Sequence, residues 1–311
     1  MRTSNPSVVL VLALAGCDSV FGLQRPDPID AAPIDARICP LTTAPPAEDL
    51  DGDGRINAVD NCTSTPNPDQ NDEDGDCLGD VCDLCPWLPD GPTDDPDDDQ
   101  IAGPCDDDPG VKNNLVFDGF SDSLKTNQTW AISPGLTVAG GQLVVNTSSV
   151  GWAGSLTVNV EKGAIDLGFH IPAATLAANT DFFVGAEVLM HVGPDPNAAS
   201  GYVIGLAREA GRNWLRIALR TPAGFDPPRQ AELLDASLEA IVVDDGPLRL
   251  HVAASGANAG PPGKLAAALW VRGAKFELTV DNPLTAGTDS FGVYSQGTGS
   301  AYDYAAFLIV R

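Results

Sequence analysis

The residues best placed to do chemistry in this chain are aspartates, set in a register that recurs three times at one even interval. Asp49, Asp51 and Asp53 alternate with other residues; so do Asp72, Asp74 and Asp76, and again Asp95, Asp97 and Asp99. Eleven positions after each opening Asp stands another: Asp60, Asp83 and Asp106. Each unit therefore has the length of an EF-hand calcium loop, with carboxylates at positions 1, 3, 5 and 12. A tightly curled loop of this kind points successive carboxylates inward, and the cation that suits such a set is calcium, which is hard and takes about six to eight oxygens.

The three loops are not equally complete. Loop one has Gly54 at position 6 for a sharp turn, Arg55 at position 7 to offer a backbone carbonyl, and Asn57 at position 9. Loop two has Asp80 at position 9 but Cys77 where Gly is usual at position 6. Loop three carries Gln100 and Gly103 at those positions and is the weakest. Asp at position 12 is shorter than the Glu of an EF-hand, and Pro and Asp crowd both sides, so the flanking helices of an EF-hand are not expected.

Of the 43 acidic residues in the 311-residue chain, 21 lie between positions 48 and 108, against one basic residue there, Arg55. So dense a negative segment repels a phosphate backbone, which argues against nucleic acid as partner. Without metal the carboxylates repel each other and too few apolar residues are at hand for a core, so the segment reads as a solvated acidic chain. Calcium would neutralise it and supply the folding free energy.

Six cysteines, Cys39, Cys62, Cys77, Cys82, Cys85 and Cys105, all fall in this acidic region. The seventh, Cys17, closes an N-terminal stretch with Arg2, a short apolar run over 8–15 and Leu14-Ala15-Gly16-Cys17. The run has the length of a signal-peptide core and is too short to span a bilayer. The motif resembles the lipobox of bacterial lipoproteins, which implies a lipid-modified Cys17 at a mature N-terminus and a membrane anchor; the stalk-like acidic segment behind it points to the outer membrane or cell surface. Six remaining cysteines in an oxidising compartment suggest three disulfides, among 15 connectivities that sequence alone does not resolve. Residues 18–37, with Pro26, Pro28 and Pro33, read as a flexible tether.

The run from Asp60-Asn61-Cys62 through Asn67-Pro68-Asp69-Gln70 and the Asp72/Asp74/Asp76 triplet to Gly79-Asp80 and Cys82-Asp83 resembles a thrombospondin type 3 repeat. The resemblance extends over 38–110 and is best in the middle unit. It implies an irregular chain wrapped around calcium and stapled by disulfides, with Cys62–Cys82 and Cys85–Cys105 as pairs, leaving Cys39–Cys77. Val59 departs from the pattern where loop one would carry its closing Cys, and Cys77 replaces Gly.

From residue 111 the pattern changes to period-two runs separated by Gly, Pro, Asn and Asp. Strands are expected at 142–146, 155–160, 164–170, 182–192, 202–208, 214–220, 248–254, 265–272, 275–280, 291–295 and 305–310, with one helical turn at 230–240. The fold class is mainly β: a calcium-wrapped, disulfide-stapled irregular segment followed by an antiparallel β-sandwich closed as a jelly roll. The divisions are 1–17 signal peptide and lipobox, 18–37 tether, 38–110 repeats and 111–311 sandwich.

Several features of the sandwich, among them Leu115-Val116-Phe117-Asp118-Gly119-Phe120, 201–206, Leu269-Trp270-Val271 and 302–307, resemble the concanavalin A-like lectin/glucanase superfamily and its laminin-G-like domains. The resemblance implies a glycan or protein ligand, and a further calcium between Asp118 and Asp303. The paired carboxylates of a glucanase strand are missing from the sequence, as are Gly-x-Ser-x-Gly and His-Glu-x-x-His. His170, His191 and His251 lack metal-ligand spacing, and Trp130, Trp152, Trp214 and Trp270 read as core before sugar platforms. No catalytic residue is assigned. The expected function is a lipid-anchored, calcium-binding surface or adhesion module for a glycan or protein, on a rigid stalk. The alternatives are a glycoside hydrolase of the same fold and a purely structural envelope protein.

Overall fold

Alternation decides the strands. In the stretch Leu248–Ser255 every second residue is buried: Leu248, Leu250, Val252 and Ala254 face inward, while Arg249, His251, Ala253 and Ser255 face out. The computed structural model describes residues 45–89, 94–122, 126, 130–132, 135–145, 151–154, 162–171, 181–190, 200–221, 224–225, 230–233, 248–255, 263–271, 273–282, 290–297 and 299–310. All of them belong to one compact unit, Leu41–Arg311.

Two antiparallel sheets form a sandwich. The first runs β14 (Ala274–Asn282), β13 (Gly263–Val271), β12 (Leu248–Ser255), β6 (Lys162–His170), β16 (Ala301–Val310), β4 (Gln142–Val145) and β3 (Leu136–Ala139), with β1 (Asn113–Asp118) also paired to β16. The second runs β10 (Gly224–Phe225), β9 (Arg212–Thr221), β8 (Ser200–Glu209), β7 (Phe182–Met190), β15 (Ser290–Gln296), β5 (Gly151–Gly154) and β2 (Ala131–Ile132), with β11 (Gln230–Leu233) on β9. The main core lies between them and includes Trp130, Leu143, Ile165, Phe169, Ile204, Leu250 and Phe307. Two-residue turns with positive φ at both positions, Gly140-Gly141 and Ala210-Gly211, close the β3–β4 and β8–β9 hairpins, a geometry that matches strand twist.

Most expected strands lie where alternation placed them, to within a few residues. One correction concerns 230–240: Gln230–Leu233 is a strand paired to Trp214–Ile217 of β9, so a sheet ladder overrides its local helical pattern. The rest of that stretch, 234–240, and the strand expected at 155–160 lie outside the described residues, and β5 is found at Gly151–Gly154.

The repeat segment packs on the outer face of the first sheet. Cys85, Trp87, Ile101 and Cys105 are buried against Ala164, Tyr304, Ala306 and Leu308, with Leu115 and Phe117 of β1 alongside. Trp87 stacks on Phe117 with ring centroids 5.9 Å apart and tilts against Tyr304 at 6.4 Å. The C-terminal part of the expected stalk thus uses the sandwich as its core, because Trp87 and Ile101 both turn onto the sheet, while Leu50, Ile56 and Val59 further back stay exposed. Burying a Trp or Ile contributes roughly 1.5–3 kcal/mol each. Trp87→Ala is expected to lower stability in calcium by about 3–5 kcal/mol in urea unfolding. Hydrogen exchange should speed up over residues 94–108 while β7 and β8 stay protected.

Candidate metal centres

Loops one to three repeat in three dimensions as they do in sequence. In each, the carboxylates at positions 1, 3 and 5 offer oxygens within 4.8 Å of one another: Asp49/Asp51/Asp53, Asp72/Asp74/Asp76 and Asp95/Asp97/Asp99. Positions 4 and 6 have positive φ every time, at Gly52 and Gly54, at Gly75 and Cys77, and at Asp98 and Gln100. The left-handed turn expected of Gly54 is therefore kept where the residue is Cys77 or Gln100, at an expense on the order of 1–2 kcal/mol for a side chain in that region. What holds it is the position-1 carboxylate, which accepts the position-6 N–H: Gly54 to Asp49 (3.1 Å), Cys77 to Asp72 (3.1 Å) and Gln100 to Asp95 (2.9 Å).

The backbone also ties one oxygen of the other carboxylates. Asp51 and Asp74 accept the N–H two residues on, as do Asp53, Asp76 and Asp99 at position 5. At position 12, Asp60, Asp83 and Asp106 accept from Cys62, Cys85 and Asp108 at 2.8–2.9 Å. The second oxygens of positions 3 and 12 are left over. Oδ2 of Asp51, Asp60, Asp74, Asp83 and Asp106 and both oxygens of Asp97 are buried with no hydrogen-bond partner. A buried carboxylate oxygen without a donor is costly, and here the same two positions are orphaned in all three loops. A cation between them satisfies every one, so the residues fit calcium.

The protonation balance agrees. Burial, opposed by a backbone N–H donor and reinforced by repulsion from neighbouring carboxylates, raises Asp74 to about 7. The same causes raise Asp51, Asp83 and Asp106, and burial with carboxylate repulsion raises Asp97. Burial would raise Asp95 as well, but the N–H donors of Gln100 and Asp99 outweigh it and Asp95 is lowered.

The position-9 side chains brace the loop's own backbone. Asn57 Oδ1 accepts the N–H of Leu50 (3.1 Å) and its Nδ2 donates to the Pro45 carbonyl (2.8 Å). Asp80 likewise accepts the N–H of Glu73 (2.9 Å). Both side chains pin position 2. In loop three position 2 is Pro96, which has no N–H, and position 9 is Gly103, which has no acceptor, so donor and acceptor vanish together. The N–H of Arg55 is held by Asp53 (2.7 Å), and its guanidinium donates to the Pro68 carbonyl (3.3 Å).

Disulfides Cys62–Cys82 and Cys85–Cys105, with Cα atoms 5.8 and 5.5 Å apart, each tie the exit of one loop to position 11 of the next. Cys77 is also disulfide-bonded. Cys17, Cys39 and His191 lie outside the described residues, as does the side chain of Trp152.

Residues not singled out in the sequence bind loop three to the sheet. Asn113 N–H donates to Asp99 (2.7 Å) and its Nδ2 to Asp106 (2.9 Å); Asn67, two repeat periods earlier, donates its N–H to Asp53 (2.9 Å). That spacing was the available signal. Asp107 pairs with His251 Nε2 (3.2 Å), whose Nδ1 meets buried Asp166 (3.1 Å); Arg249 and Tyr304 donate to the same carboxylate. Asp166 is held low: its burial is outweighed by His251 and Arg249. Of the other singled-out residues, Trp130 is in the core, Trp214 packs on the outer face of the second sheet, and Trp270 lies half-buried under Arg249 and Lys275. His170 pairs with Asp303 (3.0 Å), which also accepts from Gln142. Asp118 Oδ1 accepts from Phe120 N–H and Thr126 Oγ1.

No protein-family model matches the chain, and no curated protein matches it. Among solved structures it is similar to basic winged bean lectin with Tn-antigen, at 8% identity and TM-score 0.46, covering 63% of this chain and 98% of that one. It is also similar to the Emp47p carbohydrate recognition domain (10%, TM-score 0.37, 59% and 89%). A third is the VIP36 exoplasmic/lumenal domain in its Ca2+/Man3GlcNAc-bound form (10%, 0.40, 60% and 85%).

Burial alone would pull His251 down, but hydrogen bonds to Asp107 and Asp166 raise it to about 9. A raised histidine adds stability that is fully present below its unfolded pKa, about 6.5, and is lost as pH rises through about 9. Wild type is expected to lose up to about 3 kcal/mol more than His251→Gln between pH 6 and pH 10, in paired urea titrations.

Proposed function

We propose that this protein is a calcium-ordered binding module of the cell envelope. A lipid at Cys17 anchors it, thrombospondin type 3-like repeats hold three calcium ions, and the β-sandwich takes a glycan or protein ligand at the outer membrane or cell surface. The observation that carries the calcium part is the set of orphaned oxygens at positions 3 and 12 of each loop. The lipobox-like Leu14-Ala15-Gly16-Cys17 supports the anchor, and the confinement of six cysteines to the acidic segment supports an oxidising, exported setting. The sequence resemblance to lectin-like sandwiches supports the ligand class.

In this reading Asp49, Asp51, Asp53 and Asp60 hold one ion; Asp72, Asp74, Asp76 and Asp83 the second; Asp95, Asp97, Asp99 and Asp106 the third. Calcium supplies charge neutralisation and loop closure, and the chain's own part is to hold the carboxylates in place. Affinity on the order of 10⁻⁴ to 10⁻³ M, usual for extracellular modules, would let occupancy follow external supply.

Calorimetric titration of the oxidised chain with calcium is expected to give three sites. Asp74→Asn and Asp83→Asn should each remove one ion and weaken the neighbouring sites by less than tenfold. A stoichiometry of zero would overturn the reading. Titration at pH 5.5 should be weaker than at pH 7.5, because Asp74, raised to about 7 in the metal-free loop, must release its proton to bind.

A further inference from the structure

We propose that one sugar ring binds in the pocket between calcium loop three and the outer face of the first sheet; this rests on the ligand-binding reading above and gives it a location. The pocket has a volume of about 270 Å³. That is just under the roughly 300 Å³ at the small end of ligand pockets, room for a single ring.

Strand register explains its floor. Ala164 on β6, Ala253 on β12 and Ala266 on β13 are direct cross-strand neighbours, and Leu308 on β16 continues the row. Ala253 and Ala266, partly exposed and about one strand spacing of 4.8 Å apart, make the open apolar floor, and Ala164 and Leu308, buried under the repeat segment, close its inner end. The next row outward, Lys162, Ser255 and Lys264, forms one edge; Asp107 and Asp108 of the repeat segment form the facing wall.

The rim selects the class of ligand. Lys162 is paired with Asp108 (2.5 Å), Lys264 with Asp281 (2.5 Å) and Asp107 with His251 (3.2 Å). Among the described residues of the rim a charged ligand finds no uncompensated opposite charge. A wholly apolar one would strip water from the rim and return no hydrogen bonds. A neutral pyranose meets both demands: its C–H face lies on the alanines, and each hydroxyl, donor and acceptor at once, can bridge a lysine and an aspartate. Asp107 and Asp108 directly follow Asp106, the closing carboxylate of loop three, which accepts the Asp108 N–H, so the wall is tied to that loop.

The test uses the whole oxidised chain in calcium, with methyl α-D-mannopyranoside, methyl β-D-galactopyranoside, methyl β-D-glucopyranoside and N-acetylglucosamine as probes, read by saturation-transfer NMR and competition titration. At least one glycoside is expected to bind, at least tenfold more weakly to Ala266→Phe, which fills the floor, and at least threefold more weakly to Lys264→Ala, at an exposed edge. Calcium stoichiometry and near-UV circular dichroism report whether each variant is folded; if Ala266→Phe is not, Lys264→Ala decides. Glycoside binding equal to wild type in the folded variants overturns the pocket and leaves the ligand-binding reading standing. No glycoside binding, with three calcium ions still bound, overturns the pocket as a sugar site and leaves a protein as the ligand to seek.

Discussion

The rest of the structure depends on one electrostatic constraint: carboxylates drawn into tight loops, with oxygens at positions 3 and 12 of each loop turned away from water and given no donor. Backbone hydrogen bonds satisfy one oxygen of each of these aspartates except Asp97 and orient the other. An arrangement of this kind is unfavourable as a bare protein and favourable around a divalent cation. Turn strain at Cys77 and Gln100, the donor-acceptor match between positions 2 and 9, and the disulfides from loop to loop all serve the same closure.

Closure of loop three is coupled to the sandwich through short links. Asn113, the first residue of β1, donates to Asp99 and to Asp106, so the first strand begins on the metal loop. Asp107 and Asp108 then reach His251 and Lys162, and Asp166 behind them gathers Arg249, His251 and Tyr304. Loop two has one such link, Asn71 Nδ2 donating to Ser121 Oγ (2.7 Å), and loops one and two leave Leu50, Ile56, Val59, Leu78 and Val81 exposed. Ile101, at position 7 of loop three, is fully buried on the sheet; Leu78, at position 7 of loop two, is not. The repeats are therefore chemically alike and mechanically graded, with the firmest at the sandwich.

The two sheets answer to a different constraint. Their inner faces follow period-two alternation, which is why β12 and β13 lie where the sequence pattern put them. Local pattern misled only where side chains could serve either structure, as at Gln230–Leu233, and there the neighbouring strand β9 decided. The outer face of the first sheet carries alanines, a buried aspartate and a half-buried Trp270, a mixture no periodicity explains until the repeat segment is seen lying across part of it.

By itself the sequence determined the threefold carboxylate register and the strand pattern, because both are written at short range: alternate aspartates within a single loop, and alternate apolar residues within a strand. Tertiary structure alone decided what lies on what. Trp87 and Ile101 come from a segment with no core of its own, and their partners Ala306 and Leu308 lie at the far end of the chain, on a strand whose unbroken apolar run over 304–310 marks both faces as covered without saying by what. The same holds for Asn57 and Asp80, whose composition suits a metal ligand but whose geometry holds the loop's second residue. Spacing records which atoms can meet within a loop; only the packed chain settles which surfaces meet across the fold, since burial is a property of both partners.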